Sequence, residues 1–275
     1  MKSDIVFGQY VEGKSIIHKL DARIKIIIAI LYIVAIFLAK SVTAFVLLTV
    51  LAGVFVGMTK ISPRLIVKSM KPLLFIIIFT AIINIFWIGG EKLLVEFWII
   101  KIYLEGVINA VLIVLRIVLL IVATSVFMTY TTTPLALTDA LEHLLSPLKK
   151  IRVPVHEFAM MMTIALRFIP TLIDETHKII NAQTARGADF SSGSIVKRAK
   201  ALIPILIPLF ISAFRRADEL ATAMECRCYT GGEGRTRMNV PKTAAKDWLF
   251  LGAIVVLGAA VVLLNIYFPI YKLAV

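Results

Sequence analysis

FAMMMTIALRFIPTLI at Phe158–Ile173 and ALIPILIPLFISAF at Ala201–Phe214 are the two stretches whose reading decides the fold. On apolarity alone both would count as membrane spans. The first contains Arg167 and Pro170, and turns amphipathic beyond them with Asp174, Glu175 and Lys178. The second holds Pro204 and Pro208, and its fourteen residues make only ~21 Å of helix against a ~30 Å hydrocarbon core. If both crossed, residues 174–200 would lie outside and carry Lys178, Arg186, Lys197, Arg198 and Lys200, against the positive-inside rule. Two long helices lying at the cytoplasmic face are expected instead, with their apolar sides on lipid or protein. Ser191-Ser192-Gly193-Ser194 reads as the turn between them, and a shorter helix, Pro134–Leu145, precedes them.

Working outward, Ile24–Ala39, Val42–Met58, Leu73–Ile88, Gly106–Met128 and Trp248–Phe268 are apolar runs long enough to cross a bilayer. Lys60 to Lys71 reads as a basic connection broken by Pro63 and Pro72. Residues 91–106, with Glu91, Glu96, Glu105, Trp98 and Tyr103, read as an interfacial aromatic loop. The chain is 60% hydrophobic with a formal net charge of +13. Such a charge can mark a nucleic-acid binder, but here the cations flank apolar runs and report orientation. The N-terminal segment carries Lys2, Lys14, Lys19, Arg23 and Lys25, the 59–71 connection carries four cations, and residues 129–245 carry fifteen. The other side has Lys40, Lys92, Lys101 and Lys272. The N-terminus is therefore expected in the cytoplasm and the C-terminus outside. No removable signal peptide is read in Met1–Gln9, which has no apolar core beside a cleavage site.

Catalytic chemistry is poorly represented. There is no His-Glu-x-x-His, no Gly-x-Ser-x-Gly and no pair of intramembrane aspartates. Cys226 and Cys228 are read as small reduced residues, because zinc wants four ligands and the histidines are distant in sequence. Gly8–Ser15 matches the P-loop pattern letter for letter, but that pattern needs a strand before it and a helix of an α/β domain after it. Neither is available, so no nucleotide is expected on this chain. Arg116 and Asn84 lie inside apolar runs, where ionisable or polar groups are functional suspects; a structural role such as capping bundle carbonyls is an equal expectation.

What stands out is a duplicated tripeptide. Ala185-Arg186-Gly187 and Cys226-Arg227-Cys228 close the two long helices, each with an alanine four residues before its arginine, and the arginines are 41 positions apart. An arginine at a helix C-terminus extends from the negative end of the dipole, and its planar fork can hold a carboxylate through two hydrogen bonds. Small neighbours let a partner approach closely.

Three further segments join these tips: Ser15-Ile-Ile-His-Lys-Leu-Asp-Ala-Arg-Ile-Lys25, Leu166-Arg-Phe-Ile-Pro170 and Arg215-Arg-Ala-Asp-Glu-Leu-Ala221. With them the chain resembles, over most of its length, the transmembrane T component of energy-coupling factor (ECF) transporters. The resemblance implies an all-α integral membrane protein with about five transmembrane helices plus a cytoplasmic-side domain of long coupling helices. Residues 1–130 would form an N-terminal bundle of four spans, 131–245 the coupling-helix domain, and 246–275 a C-terminal span. It implies a membrane scaffold that passes ATP-driven motion of two cytoplasmic ABC ATPase subunits to a substrate-binding membrane S component, for uptake of a vitamin or other micronutrient. Ala185, Arg186, Gly187, Cys226, Arg227 and Cys228 would dock into the ATPases. Where the family usually has glycine after the second arginine, this chain has Cys228. ATP would bind the partners and no cofactor this chain, in the cell membrane of a prokaryote.

Phe158, Met161, Met162, Ala165 and Ile169 recur at helical spacing and read as a surface for the S component or for the scaffold itself, the methionines giving it adaptability. A stand-alone secondary transporter or channel would call for polar pathway residues and inverted repeats, which are not apparent. A membrane-embedded enzyme would call for a catalytic cluster.

Overall fold

The computed structural model describes residues 10–13, 15–89, 92–97, 100–188, 190, 194–232 and 243–267. They are overwhelmingly helical and divide into two compact units, one of residues 1–140 with 240–275 and one of residues 141–239.

In the first unit, α1 (Ala22–Leu38), α2 (Val42–Thr59), α5 (Leu104–Thr124) and α9 (Ala245–Tyr267) surround a core of Ile28, Tyr32, Ile36, Phe45, Leu48, Leu119, Phe127 and Val261. Tyr32, Phe55 and Phe127 meet edge to face, with centroids 6.3 and 5.0 Å apart. The Tyr32 hydroxyl donates to the Leu48 carbonyl at 2.8 Å, so the one polar atom of a buried ring is satisfied.

Helix starts follow local chemistry. Asp21 caps α1 by accepting from Arg23 N–H, and Ser41 caps α2 by accepting from Ala44 N–H. The 59–71 connection is helical rather than a broken link. Pro63 sits at the first position of α3 (Pro63–Met70), where a missing N–H costs nothing, and a 3₁₀ turn at Lys71–Leu73 runs on into α4 (Leu74–Trp87). Residues 91–106 also depart from the expected loop. Leu93–Phe97 (β1) and Ile100–Tyr103 (β2) pair antiparallel, with Glu96 opposite Lys101. The β-branched and aromatic residues of these segments favour an extended chain.

The polar residues within the apolar runs serve the bundle. Arg116 donates to the Ala39 carbonyl at the end of α1 at 2.8 Å and lies over the Phe45 ring. Asn84 accepts from Asn109 across the α4–α5 interface at 3.3 Å, beside Gly106, where an added Cβ would lie 3.0 Å from the Ile88 carbonyl oxygen. α9 is stitched at both ends. Asp247 accepts from Asp21 N–H and Ala244 N–H, while Asn265 accepts from Lys40 N–H, Ser41 N–H and the Ser41 hydroxyl and donates to the Leu38 carbonyl.

Among the described residues, five helical stretches are long and apolar enough to cross a bilayer: Val42–Thr59, Pro63–Trp87, Leu104–Thr129, Val155–Ala185 and Ala245–Tyr267. The chain is thus a multi-pass, all-α membrane protein. The tally matches the sequence expectation but its members differ. α1, at 17 residues or ~25 Å, falls just below that length, and Val155–Ala185 qualifies on one apolar stretch of 18 residues within its 31.

The second unit begins within the helix α6 (Pro134–Leu144), passes a 3₁₀ turn at Ser146–Ile151, and is dominated by α7 (Val155–Ala185) and α8 (Ile195–Cys226). α8 runs for 32 residues, ~48 Å, through Pro204 and Pro208, well beyond the fourteen apolar residues that marked it in sequence. The predicted turn residues Ser191–Gly193 lie outside the described residues.

Candidate functional site

Both arginine tips are built on the same helix stop. In α7, Arg186 is the C-cap and Gly187 follows in the left-handed conformation at φ +87°. Gly187 N–H donates to the Thr184 carbonyl at 2.9 Å and Ala188 N–H to the Gln183 carbonyl at 3.0 Å, the paired bonds of a Schellman motif. At the end of α8, Cys228 N–H donates to the Glu225 carbonyl at 2.9 Å and Tyr229 N–H to the Met224 carbonyl at 3.0 Å. Arg227 takes the C-cap place, and Cys228 adopts the left-handed conformation at φ +54°. The cysteine therefore does the backbone work of the glycine at the other tip. Unlike glycine it carries a Cβ, which that conformation crowds against the carbonyl oxygen.

Ala185, Arg186, Gly187, Cys226, Arg227 and Cys228 are all exposed, and both thiols are free. Each arginine closes a helix end whose carbonyls concentrate negative potential, with no carboxylate paired to its side chain among the described residues. The arrangement is suited to receiving an acceptor from outside the chain.

A third feature had no signal in single positions. Arg216 of α8 donates to the Glu175 carboxylate of α7 at 2.6 Å, the two side chains being 30% and 24% exposed. The partners are 41 residues apart, the same offset that relates the two tip arginines. Glu175 therefore precedes Arg186, and Arg216 precedes Arg227, by the same eleven residues, ~16 Å of helix. Counted along each helix, the two tips are thus equally far from the pair. That offset was the available clue in the sequence.

Phe158, Met161, Met162 and Ala165 are exposed on α7, and Ile169 is half-buried. α8 adds a longer stripe the sequence reading did not single out: Ile203, Ile207, Phe210 and Phe214, at successive turns, are also exposed. At the start of the second unit the Glu142 carboxylate and His156 Nδ1 lie 2.9 Å apart, tying the α6 end to the α7 start.

The N-terminal motif folds into a polar knot in the first unit. Lys25 donates to the Thr131 carbonyl at 2.7 Å and the His18 carbonyl at 3.2 Å, and Val11 N–H donates to the Tyr130 carbonyl at 3.0 Å. Ser15, the last residue of the P-loop-like pattern, places its hydroxyl 2.6 Å from His18 Nδ1, while His18 Nε2 lies 3.0 Å from the Val11 carbonyl oxygen. Gly8, Gln9 and Lys14 of that pattern lie outside the described residues.

Residues 13–238 match a family described as "Cobalt transport protein" (CbiQ). A relative from Ruminiclostridium cellulolyticum, named "Energy-coupling factor transporter transmembrane protein EcfT", is 53% identical over 98% of this chain and 100% of its own. Proteins of the same name from Clostridium kluyveri and Bacillus subtilis are 51% and 43% identical, covering 90% and 94% of this chain and 92% and 97% of theirs.

Proposed function

Since this chain belongs to the EcfT family of energy-coupling factor transporter transmembrane proteins, we propose that it is the membrane scaffold and energy-coupling subunit of an ECF-type ABC importer. Its two arginine tips engage one cytoplasmic ATPase subunit each. It also holds a substrate-binding membrane S component, and the complex imports a vitamin or other micronutrient. The chain is non-catalytic and binds no cofactor; ATP is hydrolysed on the partners. The N-terminus and residues 131–245 face the cytoplasm and the C-terminus faces outward, a reading supported by the loop charges.

The observation that carries this reading is the pair of exposed arginines on identical helix stops, each ~16 Å from the Glu175–Arg216 pair. When the ATPases close on ATP, the tips move together and the two helices turn about that ion pair. The exposed Phe158, Met161, Met162 and Ala165 of α7 with the half-buried Ile169, and the exposed Ile203, Ile207, Phe210 and Phe214 of α8, are where the turning is passed to the S component.

A charge-assisted hydrogen bond contributes ~1.5–3 kcal/mol, so Arg186→Ala and Arg227→Ala should each weaken ATPase association by roughly 10- to 100-fold. Uptake should fall while membrane insertion is unchanged. A double variant that still co-purifies the ATPases and transports undiminished refutes the proposal.

A further inference from the structure

The first unit contains a cavity of about 830 Å³ lined by Leu65, Lys68, Ser69, Pro72, Leu73, Ile121, Thr124, Ser125, Thr129 and Tyr130, a set no step of the proposed coupling uses. One wall is α3 with its 3₁₀ continuation. The other is α5 and a π-helical turn, Ser125–Thr129, closed by Tyr130 N–H donating to the Ser125 carbonyl at 2.9 Å. Such turns widen a helix and turn side chains out of register, and they are frequent at functional sites. The Tyr130 hydroxyl bonds Ser69 and donates to the Leu65 carbonyl, which fixes the two walls together.

Charge is unbalanced at this place. Arg64, Lys68 and Lys71 follow one another at i, i+4 and i+7 on one face of α3 and its extension, all exposed. Like charges at that spacing repel, and no aspartate or glutamate occurs in the sequence between Asp21 and Glu91. On the opposite face Ile66 is buried, so the three cations share the exposed side of α3 and its extension. Ser125 and Thr129 line the cavity with hydroxyls for which no hydrogen bond is found among the described residues. Leu65, Pro72, Leu73 and Ile121 supply an apolar side, continuous with α4, whose residues are all at least partly exposed.

We propose that this cavity is a binding site for one anionic phospholipid, its headgroup phosphate held by the Lys68 ammonium and the Ser125 and Thr129 hydroxyls, and its acyl chains lying along Leu73 and α4. A cation, two free hydroxyls and an adjoining apolar wall fit a phosphate that carries hydrocarbon; a free phosphate would leave the apolar side unused. The site sits in the bundle and does not depend on the tips, so it stands or falls apart from the coupling proposal.

The test uses the full-length chain, delipidated in detergent and titrated with phosphatidylglycerol, phosphatidylcholine or inorganic phosphate, with bound species counted by native mass spectrometry. Phosphatidylglycerol should be retained at one copy in preference to phosphatidylcholine. Lys68→Ala should lower its affinity about fivefold, the effect of one lysine near an anionic headgroup. Ser125→Ala with Thr129→Val should lower it too without changing charge. Lys60→Asn, which removes an equal charge outside the cavity and keeps a residue tolerant of the left-handed conformation found there, should change it little. Equal losses in Lys60→Asn and Lys68→Ala would mean diffuse surface attraction and overturn the proposal. Displacement of the lipid by millimolar inorganic phosphate would overturn the lipid as occupant, and unchanged binding in the hydroxyl double variant would overturn the site.

Discussion

Removing Arg216 should loosen the tips without touching them. The Glu175–Arg216 pair is partly shielded, charge-assisted and 2.6 Å long. It lies between exposed pairs, which contribute up to ~1 kcal/mol, and buried ones, whose disruption costs several. A coupling energy of ~1–2 kcal/mol in a double-mutant cycle is the expectation. The geometry amplifies that modest figure. Each tip is ~16 Å from the pair, so 10° of rotational slack displaces it by ~3 Å, about the length of the hydrogen bonds an arginine must make. The sequence offers a symmetric probe. Ala185 is offset by 41 from the native Cys226, so Ala185→Cys together with Cys228→Gly gives one label beside each tip arginine. Pulsed electron-electron resonance should show a label-to-label distribution that broadens by ~3 Å or more in Arg216→Ala and narrows again in the reversed pair Glu175→Arg/Arg216→Glu. An unchanged width in Arg216→Ala, with the melting temperature showing an intact fold, would refute the fixed-point reading; so would a reversed pair that behaves like the single variant.

Cys228→Gly should stabilise the α8 stop by several tenths to ~1 kcal/mol, because a non-glycine residue in the left-handed region costs ~1–2 kcal/mol, partly offset by glycine's greater freedom when unfolded. Gly187→Ala should destabilise by a similar amount, and thermal melting of the two variants checks both. His18 gives a pH dependence. Burial first, then nearby Lys25, hold its pKa below the usual histidine value, against the pull of backbone hydrogen bonds. The unfolded chain therefore binds a proton more readily, and the contribution of His18 is complete above about pH 6.5 and lost as pH falls below it. Melting temperatures from pH 8 to 5 should fall less for His18→Gln than for the natural chain.

Most of the helices were legible because a bilayer demands long apolar runs, and Leu73–Ile88 became α4 almost unchanged. The arginine tips were legible because two short patterns recurred at one offset. The hairpin at Leu93–Tyr103 was missed because its charges, read one at a time, resemble a loop, whereas its register pairs Glu96 with Lys101. The π turn at Ser125–Thr129 depends on how Tyr130 packs against α3, which no local pattern announces. Asp247 and Asn265 looked like ordinary polar residues near the ends of a span. Their meaning lies in partners more than two hundred positions away.

Those two residues have a mechanical consequence. They are eighteen positions apart, ~27 Å along α9, close to the depth of a hydrocarbon layer. Because each is tied to the α1–α2 hairpin, α9 can neither slide by a turn nor lean independently. When the surrounding bilayer is thicker or thinner than this gauge, the lipid must deform to meet the bundle, and the protein's own height stays set.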